Sequence, residues 1–366
     1  MIPAKYRFHL LWLVPLVIFD VIFFAWWWHR FSSPLHSVSK SPAMGVVAAA
    51  RGMRIEFACP TDRELDRFNM ENFQPTASGR PESAFYGSVR TERIGRRFLP
   101  SFHEGIDIAP IERDRAGYPR DVVMSAAAGE VAYVNRYSGN SNYGKYVVLI
   151  HGSGSGRVYT LYAHLSAIGT AIRKGVLVEQ GTVLGAMGAT STDRIAPANG
   201  HLHFEVGLML NSHFDQWFKR QKLSPDHGNY NGWNLFGVDP LSVYEWQEEN
   251  GSEYDLPAAF GAMRPAFEII LKTRRPIDFF RRYSVLWHGP EFNGGAVVIA
   301  CAENGLPLSG RCANGNESAE LGIKRHVVGH VDRSLLGRNG CRLVVPHAGQ
   351  WRLSAEGEKW LNLLLF

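Results

Sequence analysis

The amino-acid sequence predicts a mostly β protein. An antiparallel sheet domain stands in the middle, an N-terminal transmembrane helix precedes it, and a smaller β-rich, sandwich-like domain follows. Between residues 81 and 246 the chain breaks into short runs rich in Val, Tyr, Leu and Ile, separated by Gly, Asn and Ser clusters, the punctuation of successive strands. Such close spacing suits antiparallel pairing rather than βαβ units. The same texture returns from 259 to 366.

In chain order, residues 1–30 read as a signal-anchor. "HLLWLVPLVIFDVIFFAWWW" (9–28) spans a bilayer core at about 1.5 Å per residue. Lys5 and Arg7 ahead of it favour a cytoplasmic N-terminus, and Trp26, Trp27 and Trp28 form an aromatic belt at the far interface. A cleaved signal peptide would have a shorter apolar core and small residues soon after it, whereas "HRFSSPLHSVSK" follows here. The expectation is a single-pass protein of the cell membrane, with the remainder on the periplasmic or extracytoplasmic side. Asp20 within the span is costly and hints at a membrane or divisome-type partner. Export permits disulfides, and Cys301, Cys312 and Cys341 are candidates for one pair.

Residues 31–80 form a connecting region, with a short helix expected around 61–73 because Thr61 and Glu64 make a capping-box pattern. The central domain, 81–246, has strands expected in 122–134, 145–152, 157–165, 175–188 and 201–208, then an aromatic stretch at 209–236. The charged run 247–258 reads as a linker before the C-terminal domain, 259–366. Formal charge is +5 and the pI is near 9.0. This mild excess suits an anionic partner such as a cell wall or lipid headgroups; no nucleic-acid partner is expected. The basic run 272–282 reads as a solvated face. None of the four cysteines forms a C-x-x-C, which argues against a cysteine zinc site or a thioredoxin-type motif.

The polar residues of the central domain carry chemistry. "FHEGIDIAP" (102–110) resembles a helical HExxH motif whose last His has become Asp. Gly105, Ile106, Ile108 and Pro110 are poor helix residues, however, so a loop entering a strand fits better. Fully extended, that stretch would hold His103 and Asp107 about 13 Å apart, so the chain must bend, and Gly105 permits it. In "HLHFEV", His201 and His203 point to the same face of a strand. His164 ends the strand in "LYAHLS". Two His and one carboxylate make an open zinc set, and two spare imidazoles could serve as base and acid. On residue types alone, ligand and catalytic histidines cannot be told apart.

The ordered set resembles the lysostaphin-type (LytM-like) zinc endopeptidases that cut peptide bridges in peptidoglycan. "SAFYGSVR" (83–90) resembles the family's opening motif and "FHEGIDIAP" its His-x-x-x-Asp. "GEVAYV" and "NYGKYVVLIHG" resemble its strand and hairpin, "LYAHLS" and "HLHFEV" its later histidine motifs, and "GVDPLSVY" its closing segment. The resemblance spans about 82–244. It implies that His103, Asp107 and His203 bind Zn²⁺, that His164 and His201 are catalytic, and that the substrate is peptidoglycan. Glu205, on the face of His203, would orient a ligand or lie at the surface. The sequence departs from the family in a longer loop at 192–199 and in an insertion at 209–236, whose aromatics would either wall the groove or pack a small core. Degenerate relatives that activate other wall hydrolases are the alternative reading, but they lose metal residues, and all five positions are intact here.

Overall fold

The protein is described by a computed structural model covering residues 54–366 apart from 77–78, 95–96, 224–226, 252–253 and 337–342. The apolar segment 9–28 lies outside the described residues; among those described, no helix is long and apolar enough to cross a membrane.

The central sheet has seven strands among the described residues. They are β1 (Ile106–Ile108), β2 (Gly129–Asn135), β3 (Tyr146–His151), β4 (Val158–Ala163), β5 (Leu177–Val178), β6 (Leu202–Met209) and β7 (Leu235–Val238). Their order is β5-β2-β3-β4-β6-β7, every pair is antiparallel, and β1 pairs with β6 beside the β7 segment. Strand β6 therefore has β4 along one edge and β1 followed by β7 along the other. Its alternation separates two environments. Leu202, Phe204, Val206 and Leu208 enter the main apolar core, while His203 and Glu205 face the opposite side. A three-stranded antiparallel sheet, Val122–Met124, Val183–Ala186 and Ala167–Ile168, lies alongside.

The helix expected around 61–73 does not form. The Thr61 hydroxyl accepts from the Arg63 amide, two residues on, a local turn that competes with helix, and only a short 3₁₀ turn follows at Met70–Asn72. The segment 247–258, expected as a linker, takes regular structure on both sides of residues 252–253. Helix α1 (Pro240–Asn250) continues to Asn250, and buried Gln247 exchanges hydrogen bonds of 2.8 and 3.0 Å with the Phe57 backbone. Tyr254–Asp255 then pairs with Arg54–Ile55.

The sandwich expected of the C-terminal region reduces, among the described residues, to one large sheet and a two-stranded hairpin, Val344–His347 with Gln350–Leu353. The large sheet is a five-stranded one that includes β8 (Phe267–Thr273), β9 (Gly295–Cys301), β10 (Pro307–Cys312) and β11 (His326–Val331), covered by helices. Ile270 and Val298 pack with Leu321 of helix Gly315–Leu321. Ile269, Leu271 and Ile299 join Phe279, Phe280 and Trp360 in the same continuous core as Phe204 of the central sheet. Residues Gly52–Phe366 accordingly form one compact unit. Cys59, Cys301 and Cys312 are free thiols, and Cys341 lies outside the described residues. Within the β9–β10 ladder Cys301 stands opposite Pro307 and Cys312 opposite Val297, a stagger of about 13 Å that no disulfide bridges.

The insertion at 209–236 seats the chain's last helix, α2 (Ala355–Leu364). Phe214 and Trp217 are buried, Trp217 Nε1 donates to Asn362 Oδ1 at 2.7 Å, and Lys359 Nζ lies 3.4 Å from the Trp233 ring centroid. Phe214 and Trp217 thus pack inward beside α2, Trp233 stays 47 % exposed, and Tyr230 stacks on Tyr133 of the central sheet.

One buried histidine makes the fold sensitive to acid. His151, closing β3, is fully buried and donates from Nδ1 to the Ala128 carbonyl. Burial outweighs that hydrogen bond and pushes its pKa down to about 4. An unfolded histidine titrates near 6.5, so the unfolded chain takes up the proton first. The stabilisation is complete above about pH 6.5 and is lost as pH falls toward about 4. Urea unfolding at pH 7 and pH 4.5 is expected to show a decline on the order of 3 kcal/mol from this group, and the decline should be smaller by that amount in His151→Gln.

Candidate metal centre and active site

Register brings the predicted residues together. In the β6–β1 ladder His203 stands opposite Asp107, and in the β6–β4 ladder it stands opposite Ala163, immediately before His164. His201 lies two residues upstream, bridged to Gly188. His103 reaches the same point from the loop before β1. That loop passes against β6 at Gly105, where an added Cβ would come within 2.2 Å of the Phe204 carbonyl oxygen, so only glycine fits between the two ligands. Helix is absent from this stretch, as its residues implied.

All five side chains are buried; His164, at 7 % exposure, is the most accessible and Asp107, at 0 %, the least. His103 Nε2, His203 Nδ1 and Asp107 Oδ1 lie 3.0–3.2 Å from one another. These three residues form the candidate metal-holding group of the described chain.

Hydrogen bonding decides what those atoms carry. His103 Nδ1 faces the Phe85 carbonyl at 2.8 Å, so Nδ1 bears the proton and Nε2 a lone pair. His203 Nε2 faces Glu205 Oε1 at 2.8 Å, which leaves its Nδ1 as the lone pair. With His203 neutral, two imidazole nitrogens and a carboxylate oxygen converge as lone-pair donors, a set completed by either a shared proton or a cation. Their separations match the edge of about 3.3 Å expected for tetrahedral ligands at about 2.0 Å from one ion. Asp107 and Glu205 also overcome burial to raise the His203 pKa to about 9, a sign that this point attracts positive charge.

The other two histidines are aimed alike. His164 Nδ1 donates to the Thr190 carbonyl at 2.9 Å and His201 Nδ1 to the Asn199 carbonyl at 2.7 Å, so each turns an Nε2 lone pair inward. His201 Nε2 lies 3.4 Å from Asp107 Oδ1 and makes no hydrogen bond. Burial, reinforced by His201 and His203, holds the His164 pKa well below its ordinary value. The backbone of His164 is left-handed, at φ +61°, an uncommon state for a non-glycine residue. Its amide donates to the Tyr143 carbonyl at 2.9 Å.

A supporting layer surrounds the five. Glu205 is fully buried, not at the surface, and accepts from Tyr143 at 2.7 Å and Tyr159 at 2.8 Å, so its orientation on His203 is held from three sides. Thr76 donates to Asp107 Oδ2 at 2.9 Å, which turns Oδ1 toward the histidines. The lengthened loop 192–199 supplies the Asn199 carbonyl that sets the His201 tautomer. Arg113 ties that loop down through the Pro197 and Gly200 carbonyls, both at 3.0 Å. Sequence reasoning missed Thr76, Tyr159 and Arg113. Tyr143 lay inside a motif that was recognised without a role for its hydroxyl.

Residues 101–215 match the family model described as Peptidase family M23. The matched stretch is about a third of the chain. Solved structures similar to it include a zinc-containing peptidase from Vibrio cholerae, 30% identical over 34% of this chain and 32% of that one, with a TM-score of 0.25. The chain therefore spans about a third of the Vibrio protein. The catalytic domain of lysostaphin from Staphylococcus simulans is 19% identical over 44% of this chain and 89% of that one, with a TM-score of 0.28. A peptidase M23 from Pseudomonas aeruginosa is 25% identical over 37% and 48%, with a TM-score of 0.22. No curated protein matches the chain. The M23 match includes all five site residues, and the aromatic seat for α2 lies mostly beyond it.

Because Glu205 fixes the tautomer of His203, Glu205→Gln is expected to weaken metal binding at the candidate centre by roughly 10–100-fold. Competition with a chromophoric chelator measures this, and the thermal midpoint in excess chelator shows whether the metal-free fold is unchanged.

Proposed function

We propose that the protein is a zinc endopeptidase that hydrolyses peptide cross-links or stem peptides of bacterial peptidoglycan. It would act outside the cytoplasm, held to the membrane by segment 9–28. The observation that carries this reading is the convergence of two imidazole lone pairs and the Asp107 oxygen, with two further imidazole lone pairs beside them. His103, Asp107 and His203 would hold Zn²⁺. When bound, zinc supplies a Lewis acid that polarises a carbonyl and lowers the pKa of water. The M23 match supports a metallopeptidase, and the net charge of +5 suits an anionic wall.

His164 and His201 perform the proton work. Burial keeps His164 neutral, so its Nε2 can accept a proton from an attacking water. His201 presents the same kind of atom about one ring width away, with ring centroids 4.8 Å apart. The one that takes the proton is then charged at Nε2 and can bond the developing oxyanion or return that same proton to the leaving amine. Each is fixed at Nδ1 by a backbone carbonyl, so neither must reorient during the step.

A soluble chain of residues 31–366 incubated with purified peptidoglycan and Zn²⁺ is expected to release newly cleaved peptides, identified by mass spectrometry. His103→Ala should lose both metal and activity. His164→Ala should retain about one zinc per chain yet lose at least about 100-fold in rate. Since the pKa of His164 is depressed, its base form persists as pH falls, and the rate should show no acidic limb near 6.5. Bound zinc without cleavage by the wild-type chain would refute the hydrolase reading and leave that of a wall-binding regulator.

A further inference from the structure

We infer that Asn304, in the C-terminal region, is a positioning residue for the loop that carries His103 and Asp107. The C-terminal sheet and helix then act as a strut for the M23 site. This inference rests on the metal-centre reading proposed above and adds to it a part of the chain outside the family match.

Glu104 links the two parts. It follows His103 directly, and its Oε2 accepts from the Gly237 amide at 2.8 Å and from Asn304 Nδ2 at 2.7 Å. The same Asn304 nitrogen donates to the Gly237 carbonyl at 3.0 Å. A single carboxamide therefore ties the ligand loop to β7, and β7 is paired with β6, the strand of His203. The loop has little room to adjust. An added Cβ at Gly237 would lie 1.9 Å from the Glu104 carbonyl oxygen, and Gly105 is pressed equally closely on β6. A shift of the loop would move His103 and Asp107 together relative to His203.

Asn304 is itself held firmly. It is 1 % exposed, and its Oδ1 accepts from the Leu306 amide at 3.1 Å. The turn around it is closed by Ala302 N to Leu306 O at 2.9 Å and Gly305 N to Ala302 O at 3.0 Å, with Gly305 at φ +94°, where glycine is favoured. From helix α2, Trp360 Nε1 donates to the Gly305 carbonyl at 3.0 Å. That helix is seated on the 209–236 insertion through Trp217 and Asn362. A continuous line of contacts thus runs from the insertion through α2 and the 302–306 turn to the metal loop. Only an asparagine supplies this set. Aspartate offers no N–H donor at this point, and alanine would remove one of the two donors on Glu104 Oε2, leaving the Gly237 amide, and one of those on the Gly237 carbonyl, leaving the Tyr86 hydroxyl.

The test uses the full chain and two readouts besides turnover: chelator competition for Co²⁺, and the visible absorption spectrum of the bound Co²⁺. Asn304→Ala is expected to bind Co²⁺ about tenfold more weakly than wild type with an altered spectrum, and to lower kcat. If Asn304 acts through Glu104, the double variant Asn304→Ala/Glu104→Ala binds no more weakly than Glu104→Ala alone. Leu321→Ala, on the far face of the C-terminal sheet, controls for general loss of stability. It should lower the thermal midpoint while leaving metal affinity and spectrum unchanged. Wild-type affinity and spectrum in Asn304→Ala, additive effects in the double variant, or equal weakening by Leu321→Ala would each overturn the strut. A wild-type chain that binds no Co²⁺ or Zn²⁺ would overturn the metal-centre reading and the strut with it, whereas the first three outcomes leave that reading standing.

Discussion

The pairing that sets His203 of β6 opposite Asp107 of β1 is the constraint on which the site depends. Strand side chains alternate with a period of two, so a slip of one residue would send His203 into the apolar core and Phe204 toward the polar side. Leu202, Phe204, Val206 and Leu208 are all buried in the main core, and their burial resists such a slip. The hydrophobic effect on one face of β6 thereby fixes the metal-ligand geometry on the other. Strand β4 uses the same strand to place His164, and β7 uses it to carry the support at Gly237.

Gathering this much polarity in a buried space is expensive. Isolated charges and unpaired lone pairs inside a protein lose their hydration, and only close partners offset the loss. The chain meets the demand in layers. Backbone carbonyls of Phe85, Thr190 and Asn199 accept the Nδ1 protons of three histidines, and Glu205 accepts the Nε2 proton of the fourth. Each bond satisfies one ring nitrogen and directs the other toward the common point. The atoms gathered there are imidazole nitrogens and a carboxylate oxygen, a donor set that a divalent cation complements.

The C-terminal region belongs to the same body. Its sheet shares a continuous core with the central sheet, its last helix docks on the insertion, and its 302–306 turn touches the metal loop. Trp217 and Trp233 of the insertion are used for this docking. A region that resembles an appended domain in its strand texture is therefore packed as part of the frame around the candidate site.

Much of the site was legible in the sequence because its signals are local. The H-x-H spacing needs only the strand period, the loop character of "HEGID" follows from Gly105 and Pro110, and the order of motifs agrees with the family model that matches residues 101–215. Composition likewise showed a mostly β chain. Tertiary structure alone decided the rest, because those contacts join residues far apart in the chain or turn on small differences in local geometry. Thr61 made a turn in place of a helix cap through a hydrogen bond two residues away. Helices cover much of the C-terminal sheet, an outcome that strand texture does not encode. Thr76 on Asp107, Tyr159 on Glu205 and Asn304 on Glu104 lie 31, 46 and 200 residues from their partners, and no spacing rule reaches that far. By itself the sequence determined which groups were available to the site; folding decided which nitrogen of each histidine faces inward, since that choice belongs to the distant carbonyls and carboxylates that accept the other proton.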